Sequence, residues 1–125
     1  MPITAMVTCL ALNIYHEARG EPMDGQIAVA QVTMNRVAHP DYPDDVCGVV
    51  YQPDQFSWTR YDLSVDDPKA YHIAKSISID ALRGVLEAQV SFYAMWYHSV
   101  EVRPVWASEK VLEGKIGNHI FYRGW

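Results

Sequence analysis

The feature that most limits the possible folds of this sequence is a helical segment from Pro22 to Val37 that is apolar on almost every side. A surface helix carries its apolar residues along one stripe only. Here they surround most of the circumference: Ile27, Ala28, Val29, Ala30, Val32, Met34 and Val37. The pattern predicts a central helix with other elements packed on several of its sides. Pro22 suits the first helical position, where a missing N–H loses no partner.

Composition limits the chain to one packed domain and excludes several classes of partner. Its 125 residues, 50% hydrophobic and 20% charged, are too few for two domains. Apolar runs stay below the roughly 18 to 20 residues that cross a bilayer, so we expect no membrane insertion. A net charge of −5 without a basic run argues against nucleic acid as a partner. We expect a monomer that needs no cofactor.

Two further long helices are predicted. The first runs from Ile3 to Glu17, because residues of one helical face recur along it at steps of four and three. These residues are Ile3, Val7, Leu10, Ile14 and Glu17. Gly20 is a natural stop after it. The other long helix begins at Asp66-Asp67-Pro68 and ends at Gly84.

Shorter elements complete an α+β fold that is mainly helical with a small antiparallel β-sheet. Asp44 or Asp45 can cap a short helix from Val46 to Tyr51. The segments 90–97 and 116–123 are rich in aromatic and β-branched residues and are predicted strands. We expect these two strands to pair beside a cleft. Within 116–123, alternation places Asn118, Ile120 and Tyr122 on one face and His119 and Phe121 on the other.

The cysteines and the amino terminus bear on the cellular compartment. Cys9 and Cys47 are too few for a disulfide scaffold and lack Cys-x-x-Cys spacing, so two buried thiols are favoured over a single disulfide. The first residues carry no Lys or Arg of the kind that begins a secretory signal. We therefore expect synthesis in the cytoplasm, with any action on the cell wall following release.

Glu17 is the main catalytic candidate because it continues the apolar face of the first helix. Burial and the unpaired carbonyls of the last helical turn both disfavour its anion and raise its pKa. A carboxyl group that stays protonated near neutral pH can act as a general acid toward a glycosidic oxygen. The alternative is an exposed glutamate at a frayed helix end, paired with Arg19.

Other side chains give weaker indications. Sugar rings stack on aromatic faces, but an aromatic residue in so small a fold is by default a core residue. His16-Glu17-Ala18-Arg19-Gly20 is not His-Glu-x-x-His, and no metal site is predicted. A nucleophilic Cys9 or Cys47 ranks below Glu17, because neither follows a helix-start motif that lowers a thiol pKa.

Several blocks in order along the chain resemble the spore cortex-lytic (SleB-type) family of cell-wall hydrolases. The first is Glu17-Ala18-Arg19-Gly20-Glu21-Pro22, followed by Gly25-Gln26-Ile27-Ala28-Val29-Ala30 and Asn35-Arg36-Val37. The later blocks are Val49-Val50-Tyr51-Gln52, Gln55-Phe56-Ser57-Trp58, Tyr97-His98 and Ile116-Gly117-Asn118-His119-Ile120-Phe121-Tyr122-Arg123. The resemblance covers nearly the whole chain.

This resemblance implies a lysozyme-like fold that cleaves the MurNAc-GlcNAc β-1,4 bonds of peptidoglycan glycan strands. Glu17 takes the position of the family's catalytic acid. Family members are typically lytic transglycosylases, in which the sugar's own 6-hydroxyl closes an anhydro ring, and muramidase hydrolysis is the alternative. Spore enzymes of this type usually carry a signal peptide and a wall-binding module. A lone catalytic domain looks more like a bacteriophage endolysin.

The resemblance also implies a set of residues that line the substrate cleft. They are Gln55, Phe56, Ser57, Trp58, Tyr97, His98, Asn118, His119 and Tyr122. Glu21 is the nearest candidate for a second carboxylate, although Pro22 favours a structural role in which Glu21 caps the second helix. Asp54 and Asp62 lie in loops that could approach the cleft.

Two other functions fit the sequence less well. One is a peptidoglycan amidase or peptidase that uses a metal or a cysteine. The other is a wall-binding or virion module that keeps the fold without turnover.

Overall fold

The computed structural model describes residues 2–61 and 63–124 and is half helical, with a three-stranded sheet. Asp62, one of the candidate carboxylates, lies outside the described residues. The helices are α1 (Ile3–Ala18), α2 (Met23–Val37), α3 (Val46–Val50) and α4 (Pro68–Arg83), with 3-10 turns at Ser57–Arg60 and Val105–Glu109. The strands are β1 (Ala94–Ser99), β2 (Val111–Ile116) and β3 (His119–Arg123).

Helix α2 lies at the centre, as its apolar circumference predicts. It contacts α1, α3 and α4 as well as the strands β1 and β2. Ala28, Val29, Ala30 and Val32 are fully buried along it. Among the described residues, no helix is long and apolar enough to span a membrane.

The helix ends follow the predicted signals in three places and depart from them in two, at Glu21 and Pro22. The Asp45 and Asp67 side chains accept hydrogen bonds from the N–H groups of Gly48 and Ala70, and Gly84 ends α4 in the left-handed conformation. The predicted cap at Glu21 is wrong. Pro22 occupies the N-cap of α2 and not its first helical position, and the Glu21 carboxylate accepts a hydrogen bond from the Asn118 N–H instead.

The predicted strand at 116–123 is a hairpin turn followed by a strand. Gly117 and Asn118 form the turn between β2 and β3, and Gly117 adopts a positive φ of 58°. Asn118 therefore does not share a strand face with Ile120 and Tyr122. β3 lies between β1 and β2 and is antiparallel to both, which confirms its pairing with the strand that carries Tyr97 and His98.

The expectation of two free thiols is wrong, because Cys9 and Cys47 form a disulfide. Their Cα atoms are 5.3 Å apart, and the bond joins α1 to α3 across 38 residues of sequence. The pairing depends on how these two helices pack.

Candidate active site

A cleft of about 460 Å³ lies between the end of α1, the loop before the first 3-10 turn, and β1 with the segment that follows it. The predicted residues that it brings together are Glu17, Asp54, Gln55, Phe56, Tyr97 and His98. Residues of the lining that were not predicted as site residues are Arg36, Trp96, Val102, Pro104, Trp106, Glu109 and Lys110.

Glu17 lies one residue before the end of α1 and is only partly exposed. The Tyr97 hydroxyl donates a hydrogen bond of 2.8 Å to its Oε1. Burial raises the pKa of Glu17, while the Tyr97 hydrogen bond and the charge of Arg36 oppose that rise. The result is a carboxyl group that holds its proton at higher pH than an exposed glutamate, with two groups ready to stabilise its anion.

Tyr97 donates to Glu17 from a half-buried position on β1. Its ring lies against Phe56, Phe121 and His119, with centroid distances of 6.3, 5.6 and 5.2 Å. Burial and the neighbouring Glu17 raise the pKa of Tyr97 well above its ordinary value. The phenol therefore stays protonated and serves as a fixed hydrogen-bond donor.

Arg36 is a buried cation beside this pair that sequence reasoning did not select. Its Nε donates to the Met95 carbonyl at 2.8 Å, and its Nη1 donates to Gln55 Oε1 at 3.1 Å. Its guanidinium also lies over the rings of Tyr42 and Phe56. The available signal was one arginine within a helix that is otherwise apolar on most sides.

The wall formed by β1 and residues 102–110 is aromatic. His98 Nε2 and the Tyr122 hydroxyl are 2.8 Å apart, and Trp106 packs edge-on against both rings. Lys110 Nζ lies 3.9 Å from the centroid of the Trp96 ring, a cation–π contact. This wall combines ring faces with polar groups, which suits a carbohydrate.

Five of the predicted cleft residues do not line the cleft. Ser57 is exposed on the 3-10 turn, and Asn118 lies in the β2–β3 turn. Trp58 is buried and donates through Nε1 to Asn13 Oδ1. His119 is buried against Tyr97, and Tyr122 lies behind His98. His119 and Tyr122 therefore pack behind two residues that line the cleft, and Trp58 is bonded to a core residue.

The carboxylates near the cleft have different surroundings. Glu21 accepts hydrogen bonds from the Asn118 backbone N–H at 2.7 Å and from Asn118 Nδ2 at 3.2 Å, and it is absent from the lining. Asp54 lines the cleft and is paired with Arg60 at 2.7 Å. Glu109 lines it as well. Within 2–61 and 63–124, no three potential metal ligands cluster closely enough to hold an ion.

The family model described as Cell Wall Hydrolase matches residues 20–122. The chain belongs to the cell wall hydrolase family. The match begins at Gly20, after Glu17, so the geometry of Glu17 is evidence independent of that match. The predicted membership of a cell-wall hydrolase family is confirmed, and the predicted peptidoglycan glycosidase activity is taken up below as a proposal.

Relatives and solved structures agree with this membership. Spore cortex-lytic enzymes from Bacillus subtilis and Halalkalibacterium halodurans are 31% and 34% identical over 92% of the chain, which spans only 36% and 34% of their lengths. The catalytic domain of the germination-specific lytic transglycosylase SleB from Bacillus anthracis has a TM-score of 0.76 at 30% identity, covering 94% of this chain and 93% of that one. The catalytic domain of Bacillus cereus SleB has a TM-score of 0.78 at 30% identity, covering 96% and 91%. The predicted lysozyme-like α+β fold is confirmed.

Proposed function

We propose that this chain is a lytic transglycosylase that cleaves the MurNAc-GlcNAc β-1,4 bond of peptidoglycan, with Glu17 as general acid and then general base. The observation that carries this proposal is the Glu17 carboxyl group itself. It lines the cleft, its pKa is raised by burial, and the Tyr97 hydroxyl fixes its orientation. The likeness to a SleB catalytic domain named as a lytic transglycosylase supports the reaction type.

In this mechanism Glu17 gives its proton to the glycosidic oxygen as the C1–O bond breaks. The carboxylate that forms is stabilised by the Tyr97 hydrogen bond and the Arg36 charge. The sugar's 6-hydroxyl then attacks C1, and its proton passes to Glu17. The bond formed closes a 1,6-anhydro ring, and Glu17 returns to its protonated state without a second carboxylate.

Muramidase hydrolysis is the second candidate because two more carboxylates, those of Asp54 and Glu109, line the cleft. A hydrolase of the usual kind needs a partner carboxylate for its acid. Glu21 is a poorer candidate for that partner, since Asn118 occupies both of its oxygens. Asp54 is engaged by Arg60.

Mass spectrometry of the soluble products from purified sacculi tests this proposal. Anhydro-muramic ends are expected, and they must be absent with Glu17→Gln. Reducing sugar ends establish hydrolysis instead. Freed stem peptides point to the amidase class, and binding to sacculi without any soluble product points to a non-catalytic module.

The site of action that we propose is the cell wall, outside the cytoplasm. The Cys9–Cys47 disulfide supports this, because such bonds persist in oxidising compartments. We further propose the endolysin role, in which the protein waits in the host cytoplasm with Cys9 and Cys47 reduced and forms the disulfide after the membrane opens. Expressed in a bacterial host without a leader, it should cause lysis only when a pore-forming membrane protein is co-expressed. Lysis without the pore contradicts this role.

A further inference from the structure

A second groove, of about 430 Å³, borders the same part of α1 as the cleft. We name it the tyrosine groove; its lining includes His16, Tyr51, Trp58, Thr59, Arg60 and Tyr61. Its volume falls in the range of roughly 300 to 1,000 Å³ that is usual for small-ligand sites. Nothing in the proposed reaction uses it.

The tyrosine groove and the cleft are built from consecutive residues. His16 lines the groove and Glu17 lines the cleft. Along the loop, residues 54–56 line the cleft and residues 58–61 line the groove. The ion pair between Asp54 and Arg60, at 2.7 Å, joins one residue of each lining. The cleft and the groove therefore share one loop and one turn of α1.

The rings of the groove form a rigid floor with exposed walls. Trp58 is held by its hydrogen bond to Asn13 and lies 4.8 Å from the His16 ring. Tyr51 packs edge-on against Trp58 and is 47% exposed, and Tyr61 is 65% exposed. Aromatic rings left open to water beside a fixed floor offer the apolar faces on which pyranose rings stack.

The charges of the groove favour a neutral ligand. Arg60 is neutralised by Asp54. Burial and the nearby Arg19 lower the pKa of His16, so its imidazole is uncharged at neutral pH. His16 Nε2 has no hydrogen-bond partner in the described part of the chain. A groove of ring faces, hydrogen-bonding groups and little net charge fits a neutral sugar better than an ionised peptide.

We infer that the tyrosine groove binds sugar units of the same glycan strand that Glu17 cleaves, beyond the units held in the cleft. This inference rests on the proposed function for the identity of the strand. A polymer that occupies both sites gains affinity from their linkage, whereas a short fragment in the cleft does not. The groove therefore favours long glycan strands over short ones.

The test compares Tyr61→Ala on two substrates, using full-length protein. With long glycan strands that keep their stem peptides, so that each lactyl group stays an uncharged amide, KM should rise roughly three- to tenfold at unchanged kcat. With a short oligosaccharide that fills only the cleft, neither parameter should change. Tyr61→Phe keeps the ring and should behave as wild type. Phe92→Ala is the matched control, because Phe92 is 68% exposed and lines neither site.

Three outcomes overturn the inference. The first is a change in KM for Tyr61→Ala that is equal on both substrates. The second is a rise in the KM for long strands in Phe92→Ala as large as that in Tyr61→Ala. The third is a rise in KM for Tyr61→Phe as large as that for Tyr61→Ala. Sedimentation with the same long strands, in a Glu17→Gln background, separates the groove from the reaction. If adding Tyr61→Ala abolishes strand binding, the result supports sugar binding in the tyrosine groove. This holds even if wild type makes no glycan product, and in that case only the proposed function fails. If wild type degrades the strands normally but Tyr61→Ala does not weaken strand binding, the proposed function stands and the inference about the tyrosine groove is wrong.

Discussion

The Glu17 carboxyl group is subject to opposing effects on its pKa, and burial is the largest of them. In the folded protein its pKa lies above the ordinary value of 4.5, so the folded state binds the proton more tightly than the unfolded state. Ionised Glu17 therefore destabilises the fold. This contribution is absent below the unfolded pKa and grows as pH rises through the folded pKa.

Glu17→Gln should abolish wall degradation, by about a hundredfold or more, because Gln keeps the shape but has no proton to transfer. The same variant should melt at a higher temperature than wild type at about pH 8 and equally at about pH 4, since it lacks the destabilising charge. Thermal unfolding at the two pH values and turnover of sacculi check this. A folded Glu17→Gln protein with near wild-type turnover contradicts the assignment.

Tyr97→Phe should move the alkaline limb of the activity profile to higher pH. The Tyr97 hydrogen bond favours the Glu17 anion, so its removal raises the pKa and keeps the acid protonated further into the alkaline range. The Phe ring preserves the contacts with Phe56 and Phe121. The measurement is kcat/KM against pH. Tyr122→Phe is the control, since that hydroxyl contacts His98; a shift of equal size in both variants refutes the explanation.

At this scale the sequence pattern was enough to single out Glu17 as a residue of the cleft but not Arg36, and the catalytic role of Glu17 stays a prediction. A carboxylate on an apolar helical face is visible as a break in a local period. The partners of Arg36 are the Met95 carbonyl and Gln55, which are 59 and 19 residues away along the chain. No local pattern contains those contacts.

At the scale of elements, predictions succeeded where the signal was local. The ends of α4 follow from Asp67 and Gly84, which act on their own helix. Strand β2 was not predicted, because Glu113, Gly114 and Lys115 interrupt its apolar pattern. Its strand conformation depends instead on its antiparallel pairing with β3. The turn between them is held from outside the sheet, by Glu21.

Gly117 is the residue of that turn which a side chain should disturb most. A Cβ there would lie 2.9 Å from Pro22 Cδ and in collision with the Glu21 carboxylate, at a φ of +58°. Gly84→Ala is the matched control, because Gly84 has a φ of +70° and nothing within 4 Å of such a Cβ. The control should lose about 1 to 2 kcal/mol of unfolding free energy. Gly117→Ala should lose clearly more.

Urea denaturation of both variants measures the difference. Adding Glu21→Ala should restore part of the unfolding free energy that Gly117→Ala loses beyond the Gly84→Ala control. The colliding carboxylate oxygens are then gone, while Pro22 remains. Equal losses in Gly117→Ala and Gly84→Ala contradict the described contact between the turn and the α1–α2 loop.

At the scale of the whole molecule, the Cys9–Cys47 bond closes the first third of the chain. It joins α1, which carries Glu17, to α3, and neither cysteine lines the cleft. Spacing alone could not identify the pair, because a bond across 38 residues depends on the packing of two helices rather than on a local motif. The prediction of free thiols failed for that reason.

The double variant Cys9→Ser, Cys47→Ser should therefore be less stable but still active. A loop of 38 residues, left open in the unfolded state, corresponds to about 4 kcal/mol of lost stability in the chain-entropy model. For a domain of this size that amounts to a melting temperature lower by on the order of 10 °C. Turnover at room temperature should stay close to wild type, since the cleft keeps its lining.

Calorimetry with and without a reductant provides the check: the reductant should lower the wild-type melting temperature and leave that of the double variant unchanged. A wild type that melts at the same temperature in both conditions contradicts the bond, and a double variant that is stable but inactive ties the cysteines to the site instead.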